Sequence, residues 1–231
     1  MSKEKHKKEV IHFFLVTYFY GIICSKCKGG NLMTKILGLT GGIATGKSTV
    51  SRMFQDKDIP VIDTDSIAKQ VLEKGTQGYN EVLEYFGEDI LLTDKEINRK
   101  LLGRLIFMNK TKRDALNNIV HPKVLETCMK QIEEYKKQKL PLVVLDVPLL
   151  YETGIDKNTD FVCVIYTTKK RQLQRLMDRD LIDEEYASLK IKSQMTMEAK
   201  IIRADFVINN NHSILETKHQ FNAMLKELGV N

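Results

Sequence analysis

Residues 41–48 run Gly-Gly-Ile-Ala-Thr-Gly-Lys-Ser, a complete G-x-x-x-x-G-K-[ST] pattern. A chain that carries it is tied to one local structure, a strand followed by a glycine-rich turn and a helix. Both flanks agree. Ile36 to Leu39 form a short apolar strand candidate, and Val50, Met53 and Phe54 are spaced for one buried helix face. Gly41, Gly42 and Gly46 let the backbone turn tightly and bring its N–H groups against phosphate oxygens. Lys47 reaches the β- and γ-phosphates as a point charge, and Ser48 offers a hydroxyl to Mg²⁺. The start of the next helix adds its positive dipole end. The pattern predicts a nucleotide phosphate site. It does not say which nucleotide.

From Lys35 onward, strand and helix patterns alternate. Ile59–Asp63 predicts a second strand. Leu142–Asp146 is a continuous apolar run ending in Asp, as a strand buried on both faces should be. Phe161–Tyr166 predicts another, and Phe206–Ile208 a last short one. Such alternation predicts an α/β fold with a parallel sheet and helices on both faces. Ligands then bind beyond the carboxyl ends of the strands, where the loop, Asp63 and Asp146 all fall. Residues 64–139 carry mainly helical signals and look like an insertion over the acceptor substrate. Residues 168–203 are helical and highly charged, which suits a lid. The expected organisation is a single P-loop domain over 33–231. Its core comprises 33–63, 140–167 and 204–231, its substrate insertion 64–139, and its lid 168–203.

The chain has 231 residues, about one domain with insertions. Its formal charge is +6, but +4 of this lies in residues 1–32. Only +2 is left for the rest, which argues against a nucleic-acid partner. Val10 to Cys24 is apolar but too short for a comfortable membrane span, and no small-residue cleavage site follows it. Residues 1–32 are expected to be a dispensable extension, with the enzyme itself starting at Met33. No membrane partner is expected, and a cytoplasmic location is. Cys24 and Cys27 form a C-x-x-C without a second close pair, so a zinc or redox site is not favoured. Cys128 and Cys163 look like small apolar core residues of a reducing compartment.

Several residues outside the loop carry two readings each. Asp63-Thr64-Asp65, if extended, presents two carboxylates on one side, for magnesium water and for an attacking hydroxyl. The same string also fits a helix N-cap ahead of Ile67, Ala68 and Val71. Asp146 ends a Walker B-like run, or simply caps a strand. Val147-Pro148 follows it, without the Glu that motor ATPases use to activate water, so transfer to a bound acceptor is favoured over hydrolysis. Arg171, Arg175 and Arg179 lie at i, i+4, i+8, which predicts a polyphosphate clamp or structural pairing with Asp178 and Asp183. His121-Pro122 falls in a helical region, with Pro122 placed to open a new helix. A lone histidine such as His121 is more often structural or surface than catalytic. Arg99 and Arg104 are either solvated or able to meet an anionic acceptor. A guanine-reading N-K-x-D is not formed, because Asn109-Lys110-Thr111-Lys112 ends in Lys.

Together these strings resemble the dephospho-CoA kinase family. The resemblance is carried by Leu39 to Ile43 running into Gly46 to Thr49, by Val61 to Asp65, and by His121-Pro122. Pro148 to Leu150 with Glu152, Arg175 to Asp180, Ala204-Asp205 and Asn209-Asn210 complete it. It implies transfer of the ATP γ-phosphoryl to the ribose 3′-hydroxyl of dephospho-CoA, with Mg²⁺ accompanying ATP. It also implies an ATP site at Gly42, Ala44, Thr45, Gly46, Lys47, Ser48 and Thr49, with Ser48 as the metal-side hydroxyl. Asp65 takes the base role, Lys47 and Arg175 act on the phosphates, and Arg99 and His121 in the insertion meet the acceptor. A kinase for a nucleoside or nucleotide shares the core and lid logic and is the alternative.

Overall fold

The computed structural model describes residues 34–230. The expectations for residues 1–32, including Cys24 and Cys27, lie outside the described residues. Five strands form one sheet: β1 (Lys35–Gly41), β2 (Val61–Asp63), β3 (Leu142–Asp146), β4 (Phe161–Tyr166) and β5 (Phe206–Asn209). Their order is β2-β3-β1-β4-β5 and every pairing is parallel. This is the α/β core that the alternating pattern predicts. β1 and β3 are nearly continuous apolar runs because helices cover both faces of the sheet. Leu37, Leu39, Val143, Val144 and Cys163 are all essentially inaccessible.

Parallel register aligns the functional ends. Asp146 is paired with Leu39 on one side and Asp63 on the other, so both acids stand beside the strand that runs into the loop. Helix α1 (Lys47–Gln55) leaves the loop and buries Val50, Ser51 and Phe54. Met53 is only half-buried, so Ser51 rather than Met53 completes the inner face.

Residues 64–139 are mainly helical: α2 (Thr64–Val71), α3 (Gln77–Phe86), α4 (Arg99–Met108) and α5 (Lys110–Lys137). Pro122 does not open a new helix. It sits inside the 28-residue α5. Leu116, Val120, Val124, Cys128 and Ile132 repeat every four residues along the buried face of α5. Pro122 falls on the opposite, exposed face. Packing of that continuous stripe outweighs the one backbone hydrogen bond a proline removes.

Beyond β4 come α6 (Lys169–Asp180), α7 (Glu184–Lys192) and α8 (Met197–Ile202), then β5 and α9 (Ile214–Glu227). This charged stretch is not solvated throughout. Gln172, Leu176, Ala187 and Lys200 are buried. Among the described residues no helix is long and apolar enough to cross a membrane.

Candidate active site

The loop between β1 and α1 is pinned from outside by side chains. Gly46 takes φ +93, a left-handed conformation, and a Cβ there would lie 2.0 Å from Asn210 Nδ2. The space belongs to Asn210, whose amide donates to the Thr45 carbonyl at 2.8 Å. Thr217 Oγ1 donates in turn to Asn210 Oδ1 at 3.1 Å. Arg175 reaches the same carbonyl at 3.4 Å and the Asn210 carbonyl at 3.3 Å. Gln172 Nε2 donates to the Ile43 carbonyl at 2.8 Å. A trans peptide is planar, with C=O and N–H pointing opposite ways. Each carbonyl held outward therefore aims the next N–H inward: Ala44 N–H through Gln172, and Gly46 N–H through Asn210 and Arg175. The amides are oriented by side chains from α6 and the β5–α9 turn.

Lys47 is the first residue of α1, and its ammonium donates to the carboxylate of Asp146. Asp146 is buried. Its backbone carbonyl accepts from Thr64 Oγ1 at 3.0 Å, which ties the first residue of α2 to the end of β3. Asp63 resolves to the capping alternative. The chain stops being extended there, and its carboxylate accepts from the N–H groups of Asp65 and Ser66 at 3.0 and 3.4 Å. The premise of two carboxylates on one side of an extended chain therefore fails, because helix α2 starts at Thr64. Asp65 lies in that first turn, open to solvent on one side. Partial burial raises its pKa above the usual carboxylate value; Lys47 pulls it down, and Asp63 and Asp146 push it up. Lys47, Asp65 and Asp146 thus form one electrostatic group at the strand ends.

The three arginines separate. Four residues of helix rise about 6 Å, so only one rung of the stripe meets the loop, and it is Arg175. Arg171 is exposed. Arg179 pairs at 2.8 Å with Asp180, which also holds Lys190. The expected partners do other work: Asp178 accepts from Gln174, and Asp183 caps α7. Arg175 lines a cavity of about 350 Å³ with Gly46, Thr49, Asn210, His212 and Ile214. Ser48 is exposed one residue beyond Lys47. Arg99 donates to the Lys69 carbonyl at 2.9 Å, on the helix that carries Asp65. His121 stands on the exposed face of α5, where partial burial lowers its pKa.

A family model described as dephospho-CoA kinase matches residues 35–216. The chain belongs to the dephospho-CoA kinase family. A dephospho-CoA kinase of Bacillus cereus is 48% identical over 198 residues, which are 86% of this chain and 99% of that protein. A solved dephospho-CoA kinase from Campylobacter jejuni superposes with a TM-score of 0.66 at 30% identity, covering 85% of this chain and 98% of that one. A solved structure of a Thermus thermophilus protein gives 0.72 at 28% identity, over 85% and 98%. Membership of the dephospho-CoA kinase family bears out the fold and the family resemblance carried by the sequence strings.

Sequence reasoning passed over Gln172, Gln194 and Lys200. Gln172 could have been found, since it shares a helical face with Leu176 at i+4 spacing. Lys200 lies in a charged stretch that gives no sign of its burial.

Proposed function

We propose that this chain transfers the γ-phosphoryl of ATP to the ribose 3′-hydroxyl of dephospho-CoA, giving CoA and ADP, with Asp65 as the base. The observation that supports the mechanism is the grouping of Lys47, Asp146 and Asp65 at the strand ends, in a chain of the dephospho-CoA kinase family. The loop amides from Ala44 to Thr49 hold the phosphates, assisted by the α1 dipole. An ammonium has three donors, so Lys47 can keep Asp146 and still reach a phosphate oxygen. The acceptor oxygen attacks the γ-phosphorus, the bond to the β–γ bridging oxygen breaks, and ADP leaves. The acceptor proton passes to the Asp65 carboxylate. A raised pKa makes Asp65 a better proton acceptor than an ordinary aspartate, provided the pH keeps it ionised.

The donor set fits Mg²⁺, which keeps several waters and takes one or two protein oxygens plus substrate phosphates. Ser48 Oγ and the Asp146 carboxylate are the oxygens at hand. Bound there, the ion would neutralise charge on the transferring phosphoryl group. Arg175, with Asn210 and His212, lines the cavity beside Gly46 and Thr49, where the nucleotide would extend away from the reacting end. Arg99 and His121 are the insertion's contributions toward dephospho-CoA. The partners we assign are ATP and dephospho-CoA, without nucleic acid, and the location we assign is the cytoplasm.

The test offers Mg-ATP with dephospho-CoA, adenosine or AMP and follows ADP release. Release with dephospho-CoA alone is expected. Turnover of AMP or adenosine in its place would favour a nucleotide or nucleoside kinase.

A further inference from the structure

Lys200 is fully buried on α8. Its ammonium meets the Glu152 carboxylate at 2.9 Å and the Pro148 carbonyl at 3.3 Å. The Pro148 carbonyl also accepts from Thr40 Oγ1 at 3.1 Å, at the end of β1. Glu152 accepts from the Met195 N–H at 2.9 Å. The residue before Met195 is Gln194, whose Oε1 accepts from the Ile43 N–H at 2.8 Å. A continuous polar chain therefore runs from the turn after β3, through the α7–α8 segment, to the middle of the phosphate loop. With Gln172 on the Ile43 carbonyl, both backbone groups of Ile43 are held by glutamines.

Gln194 fixes the Gly42–Ile43 peptide plane. The Gly42 carbonyl then points into the loop, where it accepts from Thr45 N–H at 3.2 Å and Thr45 Oγ1 at 2.9 Å. Between these anchors Ala44 holds φ +59, a left-handed conformation that costs a non-glycine residue energy and persists only where the surroundings impose it. The Gln194 contact to Ile43 N–H is one of the surroundings that impose it.

We propose that Gln194 is a positioning residue for the phosphate loop, and that the buried Lys200–Glu152 ion pair holds the segment that presents it. The α7–α8 segment and the ATP loop are then one mechanical unit. ATP affinity depends on contacts that never touch ATP. This rests on the reading of residues 41–48 as the ATP site.

The test is a double-mutant cycle on the full chain: Gln194→Met, Lys200→Met and both together. Methionine keeps the length of each side chain and removes its polar end. Lys200→Met leaves Glu152 partly exposed and still bonded to Met195, so no charge is stranded. ATP affinity is read by calorimetry, and KM for each substrate by ADP release. Gln194→Met is expected to weaken ATP about three- to tenfold, the worth of one hydrogen bond. The KM for dephospho-CoA should stay within about twofold, and the melting temperature should barely move. Lys200→Met should weaken ATP in the same direction, and the double variant should lose less than the product of the two.

Wild-type ATP affinity in Gln194→Met overturns the positioning role. Independent effects of the two substitutions overturn the link to the ion pair. If Lys200→Met does not fold, the paired Lys200→Met/Glu152→Gln variant, which removes both charges together, takes its place in the cycle. Failure of the underlying reading looks different: the wild-type chain would then bind no ATP, or release no ADP with dephospho-CoA.

Discussion

Asp146, the last residue of β3, accepts a hydrogen bond from Lys47, the first residue of α1. The pair joins the two elements that flank the phosphate site. Asp146 is 4% exposed, so it depends on Lys47 for its charge balance. Lys47→Ala therefore has two effects. Loss of a preorganised charge at a developing transition state lowers kcat by roughly 10²–10³. The stranded Asp146 carboxylate also lowers the melting temperature. Lys47 remains partly exposed, so the stability loss should fall below the ~3–5 kcal/mol of a fully buried broken pair. Steady-state ADP release and a thermal melt measure both. Near-normal turnover would remove Lys47 from its assigned role.

Asp65→Asn should lower kcat by roughly 10²–10⁴, the range for a lost general base. ATP affinity should change far less, because the loop amides are untouched. The same variant should melt at a higher temperature at neutral pH. The sign follows from the direction of the pKa shift. Asp65 has a folded pKa above its unfolded value, chiefly through burial. Its contribution favours the fold below the unfolded pKa and is lost as pH rises through the folded one. A neutral amide escapes that loss. In the wild type, kcat/KM should fall on the acid side at a pH above the ordinary aspartate range. A collapse of ATP binding with kcat preserved would make Asp65 a structural or metal residue instead.

The extent to which this site was legible follows from how local each signal is. The loop, β3 and Asp146 are written in contiguous residues, and the parallel sheet follows from apolar runs alone. Asp63 was ambiguous because an aspartate after a short strand serves equally as cap and as ligand. Only the turn of the chain at Thr64 decides between them. Pro122 misled because local propensity was outweighed by a buried stripe that spans both sides of it. Gln172, Gln194 and Lys200 act through partners 129, 151 and 48 residues away. No short string records contacts of that kind.

Asn210 offers a sharper test of the loop than any glycine substitution. Its amide group donates to Thr45 and accepts from Thr217, both in buried surroundings. Asn210→Ala removes one hydrogen bond at each end, about 0.5–1.5 kcal/mol apiece, because the Thr45 carbonyl keeps Arg175 and the Thr217 hydroxyl keeps the Ser213 carbonyl. Asn210→Asp should be worse for nucleotide binding, despite its shape, because a carboxylate oxygen then faces the Thr45 carbonyl. A melt and an ATP titration compare the two. Wild-type ATP affinity in both variants would mean that the loop does not need this donor.

Arg175 and Arg179 make the last comparison, since they sit one turn apart on α6 and differ only in what they meet. Arg179 pairs with Asp180 in an exposed setting, worth about 0–1 kcal/mol. Arg179→Ala should leave both kinetic constants near wild type. Arg175 is half-buried against the Thr45 and Asn210 carbonyls and lines the cavity beside the loop. Arg175→Ala should raise the KM for ATP and lower kcat, because one side chain supports both the loop and the nucleotide. Arg175→Lys should rescue poorly. A lysine supplies the charge but not the planar fork that spans the Thr45 and Asn210 carbonyls. Full rescue by lysine would reduce Arg175 to a point charge, and a matching loss in Arg179→Ala would restore the clamp that the sequence spacing predicts.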